Sequence, residues 1–265
     1  MNTKIFVSPE IENSTIEELS RQLLKANNEL KQLQEEREIM FANISHDLRA
    51  PMTAIRSALD LFFSEENPDE AEMRKTLELI NRRAKTLESL VNDMYYLYKV
   101  SSEKKECSYE EIEAIPFLEE YYFDLQINST YEKFKLELEI DPDSECRFKI
   151  DVQEMVRVLD NLFSNAARYS GEGSVITLKA GKSDDGKKIN IIIRDNGRGI
   201  PKEKLPYIFM RTYTVSDSRT PLSNDSGSGL GLAIVKTIIE KHGGTISCES
   251  KIGEGTEFFI CLPIL

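Results

Sequence analysis

His46 stands beside a carboxylate, Asp47, in the run FANISHDLRAP (41–51). A carboxylate that accepts a hydrogen bond from one imidazole nitrogen fixes the tautomer and makes the other nitrogen the better nucleophile, so the pair can attack phosphorus. In DNLFSNAARYS (160–170), Asn161 and Asn165 are four residues apart and share a helical face, with Arg168 close to the same side. Amide oxygens suit a hard cation such as Mg²⁺. DNGRGIP (195–201) follows a strand, and Gly197 and Gly199 let the chain turn sharply and approach a flat ligand, with Asp195 placed to accept from an exocyclic amine. GSGLGLAIVK (227–236) sets Gly227, Gly229 and Gly231 just before a helix built on Leu232, Val235, Ile238 and Ile239. Unpaired N–H groups and the positive helix end suit phosphate there. Each segment alone has an ordinary reading: an exposed histidine before a proline bend, asparagines on a helix, an Asp-Asn-Gly turn, a polar surface loop. His242, in EKHGG, reads as a helix C-terminal cap.

Two scaffolds are needed to position these residues. From Ile16 the apolar positions run Ile16, Leu19, Leu23, Ala26, Leu30, Leu33, Met40 and Ile44, a heptad seam interrupted at Arg37. With Ile44 at heptad position a, His46 falls at c and points away from the seam toward solvent. The seam continues through Pro51, Ala54, Ala58 and Leu61, with Leu48, Ile55 and Phe62 in a second row. Pro51 cannot donate to the carbonyl of Asp47 and should kink the helix just after the histidine. SEENPDE marks a turn, and Met73, Leu77, Ile80, Ala84, Leu87, Val91, Met94 and Tyr98 form a second heptad. The spacing predicts an antiparallel helical hairpin returning over about 70–99. A single hairpin cannot cover its own face, and a dimeric four-helix bundle is the simplest remedy.

After SSEKKE the period changes. FKLELEI (134–140) and KKINIIIRD (187–195) read as strands, 151–169 as an amphipathic helix, SDDGKK as a hairpin turn, and ISCES with GTEFFICL as a closing strand pair. The second half is therefore mixed α/β, with a boundary near 101–106.

Composition narrows the function classes. A net charge of -12 opposes general binding to nucleic acid or anionic membrane. Two unit charges about 4 Å apart repel by roughly 4 kcal/mol at an effective dielectric near 20, so a bound triphosphate needs Mg²⁺ and backbone donors. Cys107, Cys146, Cys248 and Cys261 are scattered and form no CxxC pair, which favours reduced structural thiols over zinc or a disulfide framework. No run approaches the roughly 20 apolar residues of a membrane span, and the N-terminus lacks a secretory cleavage pattern, so a cytosolic chain is expected, or the cytoplasmic part of a membrane sensor.

In this order the segments resemble the H, N, G1 and G2 boxes of bacterial two-component sensor histidine kinases, with an F-box-like YIFMRTY (207–213) between the last two. The resemblance covers about 38–265. It implies a HisKA-type dimerisation and phosphoacceptor domain (38–104) after a coiled-coil signalling helix (1–37), then a GHKL-type ATP-binding α/β sandwich (105–265). The implied activity is ATP-dependent phosphorylation of His46, followed by transfer to an aspartate of a response-regulator receiver domain, by a homodimer.

By the same resemblance, Asn165 is the principal Mg²⁺ ligand, supported by Asn161, while Arg168 meets phosphate and Tyr169 lies near the nucleotide. Asp195 reads the adenine N6 amine. Gly197, Gly199 and Ile200, and Gly227, Gly229, Leu230 and Gly231, shape the nucleotide site, and RTYTVSDSRTPLSNDS (211–226) reads as a mobile ATP lid. Related ATPases of the gyrase, chaperone and mismatch-repair type, and anti-sigma serine kinases, carry glutamate where this chain has Asn161. Without that base, transfer to His46 is favoured over water activation. A degenerate scaffold is a further alternative, although no nucleotide box is visibly broken. Kinases that also dephosphorylate their regulator typically carry Thr or Asn four residues after the histidine; Ala50 stands there, which implies weak phosphatase activity unless Thr53 substitutes.

Overall fold

The computed structural model describes residues 9–64, 69–101, 107–141, 144–210 and 229–265. Gly227, the expected lid at 211–226, the tip of the SEENPDE turn and residues 102–106 lie outside the described residues. By packing, the chain falls into two units, Met1–Arg49 and Ala50–Leu265.

Helix α1 is assigned from Pro9 to Ser64 and includes Pro51. Residues 18–38 are rich in Glu, Leu, Lys and Gln, all strong helix formers. In the first unit the seam residues Leu19, Leu23 and Leu30 are more than half exposed. Ile44 is buried. Lys25–Glu29 and Lys31–Glu35 pair across one turn at 3.9 Å, contacts that add only a few tenths of a kcal/mol each.

In the second unit, Pro51 and Ala58 are buried on the last turns of α1, and the return arm follows as α2, Glu70–Ser101. Its acidic first turn, with Glu70 and Glu72, and Lys99 in the last turn complement the helix dipole. Along α2 the seam splits into two rows. Met73, Ile80, Leu87 and Met94 are half-buried, whereas Leu77, Ala84, Val91 and Tyr98 are exposed.

The rest is an α/β sandwich. It contains β1 (Glu110–Glu113), α3 (Ala114–Ile127), β2 (Lys135–Ile140), β3 (Arg147–Ile150), α4 (Val152–Tyr169), β4 (Val175–Lys182), β5 (Lys188–Asp195), α5 (Gly231–Lys241), β6 (Thr245–Lys251) and β7 (Gly255–Pro263). The five-stranded sheet has the order β2-β4-β5-β7-β6, with β2 and β4 parallel and the other pairs antiparallel; β1 and β3 form a separate antiparallel pair. The strand and helix expectations for 134–140, 151–169, 187–195 and the C-terminal pair all match these elements. In the expected SDDGKK turn, the Gly186 N–H donates to the Ser183 carbonyl.

Alternation sets the core. Ile189, Ile191 and Ile193 of β5 lie in register with Leu262, Ile260 and Phe258 of β7, and Ile191 and Ile193 with Ala180 and Leu178 of β4. All of these residues are buried. Against them pack Met155, Val158, Leu159, Leu162 and Phe163 of α4 and Ile234, Val235, Ile238 and Ile239 of α5. Each such side chain contributes about 1.5–3 kcal/mol by leaving water. The β5 row ends at Asp195, two residues beyond Ile193, so the strand period itself turns this carboxylate toward the helical layer.

Candidate active site

The His46–Asp47 pair lies on α1. His46 is exposed, and its Nδ1 lies 3.3 Å from Asp47 Oδ1. Buried Ile44 two residues earlier and the exposed imidazole match the outward heptad position expected for His46.

A cavity of about 410 Å³ opens in the second unit, within the size range of small-ligand sites. It brings together Asn161, Asn165, Arg168 and Tyr169 from α4, Asp195 from the end of β5, Gly199 and Ile200 from the following loop, and Gly229 and Gly231 before α5. Helix α4 starts on an Asp151 cap, whose carboxylate accepts from the Glu154 N–H at 3.1 Å. Its apolar stripe faces the sheet, which leaves Asn161, Asn165 and Arg168 on the face that lines the cavity. The Asn161 amide nitrogen donates to the Arg157 carbonyl at 2.9 Å. Its oxygen approaches Gly231 so closely that a Cβ there would lie 2.5 Å away, so a larger residue where α5 begins would displace the Asn161 side chain.

Asp195 is buried, and its Oδ1 accepts from the Gly197 N–H at 2.8 Å and from the Ser170 hydroxyl at 3.5 Å. Burial pushes its carboxyl pKa up, against these hydrogen bonds, which favour the anion. Gly197 stands behind this carboxylate and does not line the cavity; a Cβ on it would meet Asp195 Oδ1, Ser170 Oγ and the Tyr169 carbonyl, all within 2.8 Å. Gly199 has φ of +72° and passes against the backbone of Lys251, a position closed to other residues. The Arg198 guanidinium stacks over the Tyr169 ring, 4.4 Å from its centroid. Leu230 is buried at the start of α5 as part of the core.

Ile208, Leu232 and Phe258 supply apolar walls, and Thr256, Ser164 and Arg198 add polar ones. Sequence reasoning missed these, and it missed the contribution of α2: Lys85, Thr86, Ser89, Leu90 and Asp93 form one wall. In sequence that stretch reads as the solvated side of a heptad helix, and Asp93 and Arg157 are too far apart in the chain for their pairing to be visible.

His242 is buried and structural. Its Nε2 accepts from the Asp151 N–H at 2.9 Å, and Nδ1 donates to the Ile238 carbonyl at 2.8 Å, which joins the end of α5 to the start of α4.

Two family profiles match. Residues 36–103 match the His Kinase A (phospho-acceptor) domain, and 150–265 match the Histidine kinase-, DNA gyrase B-, and HSP90-like ATPase. The sensor histidine kinase WalK of Bacillus subtilis is 33% identical over 237 residues, 89% of this chain and 38% of the relative. The sensor protein kinase WalK of Staphylococcus saprophyticus is 32% identical over 235 residues, again 89% of this chain and 38% of the relative. The chain thus spans well under half the length of these two relatives. In fold it resembles the Acinetobacter baumannii histidine kinase AdeS (TM-score 0.62, 23% identity, 83% of this chain and 98% of that one). It also resembles the histidine kinase ThkA, solved in complex with the response regulator protein TrrA (TM-score 0.64, 23% identity, 98% of this chain and 68% of that one). With a phosphoacceptor domain followed by a histidine kinase-type ATPase domain, the chain belongs to the sensor histidine kinases of two-component systems.

Proposed function

We propose that this protein is an ATP-dependent protein-histidine kinase that phosphorylates its own His46 and passes the phosphoryl group to an aspartate of a response-regulator receiver domain. The observation that carries the reading is the cavity that gathers Asn161, Asn165, Arg168 and Tyr169 around buried Asp195, in a chain that also presents an exposed His46–Asp47 pair.

Asp195 accepts from the N6 amine of adenine, the apolar side chains of Ile200, Ile208 and Phe258 cover the base, and Tyr169 lies along it. Asn165 offers an amide oxygen to Mg²⁺, with Asn161 supporting it, and Arg168 meets phosphate. An amide oxygen completed by phosphate oxygens and water is a donor set this cation accepts. When bound, Mg²⁺ neutralises charge on the phosphates. Asp47 holds the Nδ1 proton of His46, and Nε2 attacks the γ-phosphorus. The new P–N bond forms as the bond to the β,γ-bridging oxygen breaks, and ADP leaves. In this scheme positioning and electrostatics supply most of the rate.

In this reading a signalling helix over 1–37 precedes a dimerisation and phosphotransfer domain over 38–104 and an ATP-binding domain over 105–265; the family matches at 36–103 and 150–265 support the second and third. A homodimer is supported by the exposed second row of α2. The kinase of the ThkA structure is bound to a response regulator, which supports a receiver domain as the partner here. No described helix is long and apolar enough to cross a membrane. The need for ATP supports a cytoplasmic position for this part of the protein, coupled to a sensory partner or domain.

The test is incubation with γ-labelled ATP and Mg²⁺, comparing the protein with His46→Gln. Acid-labile, alkali-stable label on the protein is expected and should vanish in the variant. ATP turnover without protein label would replace the kinase with an ATPase.

A further inference from the structure

The cavity lining falls into two chemically distinct sets. Asp195, Ile200, Ile208 and Phe258 are an apolar set with one carboxylate, whereas α4 and α2 contribute a polar one. The α4 face carries Asn161, Ser164, Asn165 and Arg168; the α2 face carries Lys85, Thr86, Ser89 and Asp93. The spacing of each set is that of a single helical stripe.

Side-chain contacts fix the register of the two helices. The Tyr96 hydroxyl donates to Glu154 Oε2, and Arg157 Nη2 donates to Asp93 Oδ1 at 2.7 Å while its guanidinium covers the Tyr96 ring at 4.2 Å. A step back along α2 accompanies a step forward along α4, so the helices run antiparallel. Further back along α2 and further forward along α4, Ser89 and Lys85 line the same cavity as Asn161 and Asn165.

Lys85 is exposed and makes no ion pair with any described residue, whereas the charge of Asp93 is met by Arg157. Lys85 therefore brings to the α2 side of the cavity a cation that no described carboxylate pairs, in a chain whose net charge of -12 otherwise opposes a polyphosphate. We infer that Lys85 binds the phosphate chain of the nucleotide, which makes the return arm of the hairpin part of the ATP site. This rests on the reading of the cavity as that site. A flexible ammonium with three donors suits such a contact as a point charge.

The test uses the full chain and titrates MgATP, MgADP and MgAMP by calorimetry into the wild type, Lys85→Met, Lys85→Arg and Asp195→Asn. Lys85→Met should weaken MgATP roughly tenfold, the effect of losing one charge-assisted hydrogen bond. It should weaken MgAMP little, and Lys85→Arg should restore MgATP binding. Unchanged MgATP affinity in Lys85→Met, or an equal loss for all three nucleotides, overturns the inference and leaves the cavity assignment standing. Failure of the wild type to bind MgATP, or full affinity in Asp195→Asn, overturns the assignment and the inference together.

Discussion

Asp195 owes its position to three local features: the inward phase of β5, the close approach allowed by Gly197, and hydrogen bonds from the Gly197 N–H and the Ser170 hydroxyl. Burial makes the carboxylate costly, and in the proposed function recognition of the adenine amine offsets that cost. Asp195→Asn should keep the fold, by circular dichroism, and weaken MgADP binding about 30- to 100-fold in calorimetry. Retention of wild-type affinity would exclude Asp195 as the base-reading group. At the other site, Ala50 lies one helical turn beyond His46 on α1 and has no group to orient water. Ala50→Thr should raise the rate of phosphate loss from a phosphorylated cognate regulator roughly tenfold or more, read with Mg²⁺ in excess. Rapid loss already promoted by the natural chain would contradict this.

At the scale of elements, α4 carries the site and is tied at both sides. Toward α2, the Arg157–Asp93 pair is only partly exposed, at 28% and 15% for the two side chains, and Tyr96 pairs with buried Glu154. Removing Asp93 leaves Arg157 without this partner at a half-buried site and should cost about 1–2 kcal/mol of unfolding free energy. A double-mutant cycle of Asp93→Ala with Arg157→Ala should return a coupling of about 1 kcal/mol; additive effects would mean the two do not act together. Toward α5, His242 must stay neutral at Nε2 to accept from the Asp151 N–H. Burial lowers its pKa from the usual 6.5, so its contribution is full above that value and is lost as pH falls through the folded-state value. Between about pH 7.5 and pH 5, His242→Gln should lose less Tm than the natural chain. Parallel Tm curves would show that His242 does not carry the acid sensitivity.

At the scale of the whole molecule, the exposed row Leu77, Ala84, Val91 and Tyr98 is the unpaired half of the α2 seam. Burying each large member against a second copy would contribute about 1.5–3 kcal/mol. Leu77→Glu with Val91→Glu should halve the particle mass in light scattering; an unchanged mass would place the dimer contact elsewhere. By itself the sequence determined the helical hairpin and the mixed α/β second half, because heptad and strand periods are local, and it singled out Asn161, Asn165, Arg168, Tyr169, Asp195, Gly199, Ile200, Gly229 and Gly231 of the cavity lining, because glycine and asparagine spacings survive without a structure. The strand order, the approach of Asn161 to Gly231, the Asp93–Arg157 pair and the α2 wall of the cavity were decided only by tertiary structure. Those features join residues far apart in the chain, and a polar helix face that lines a cavity has the same composition as one that faces water.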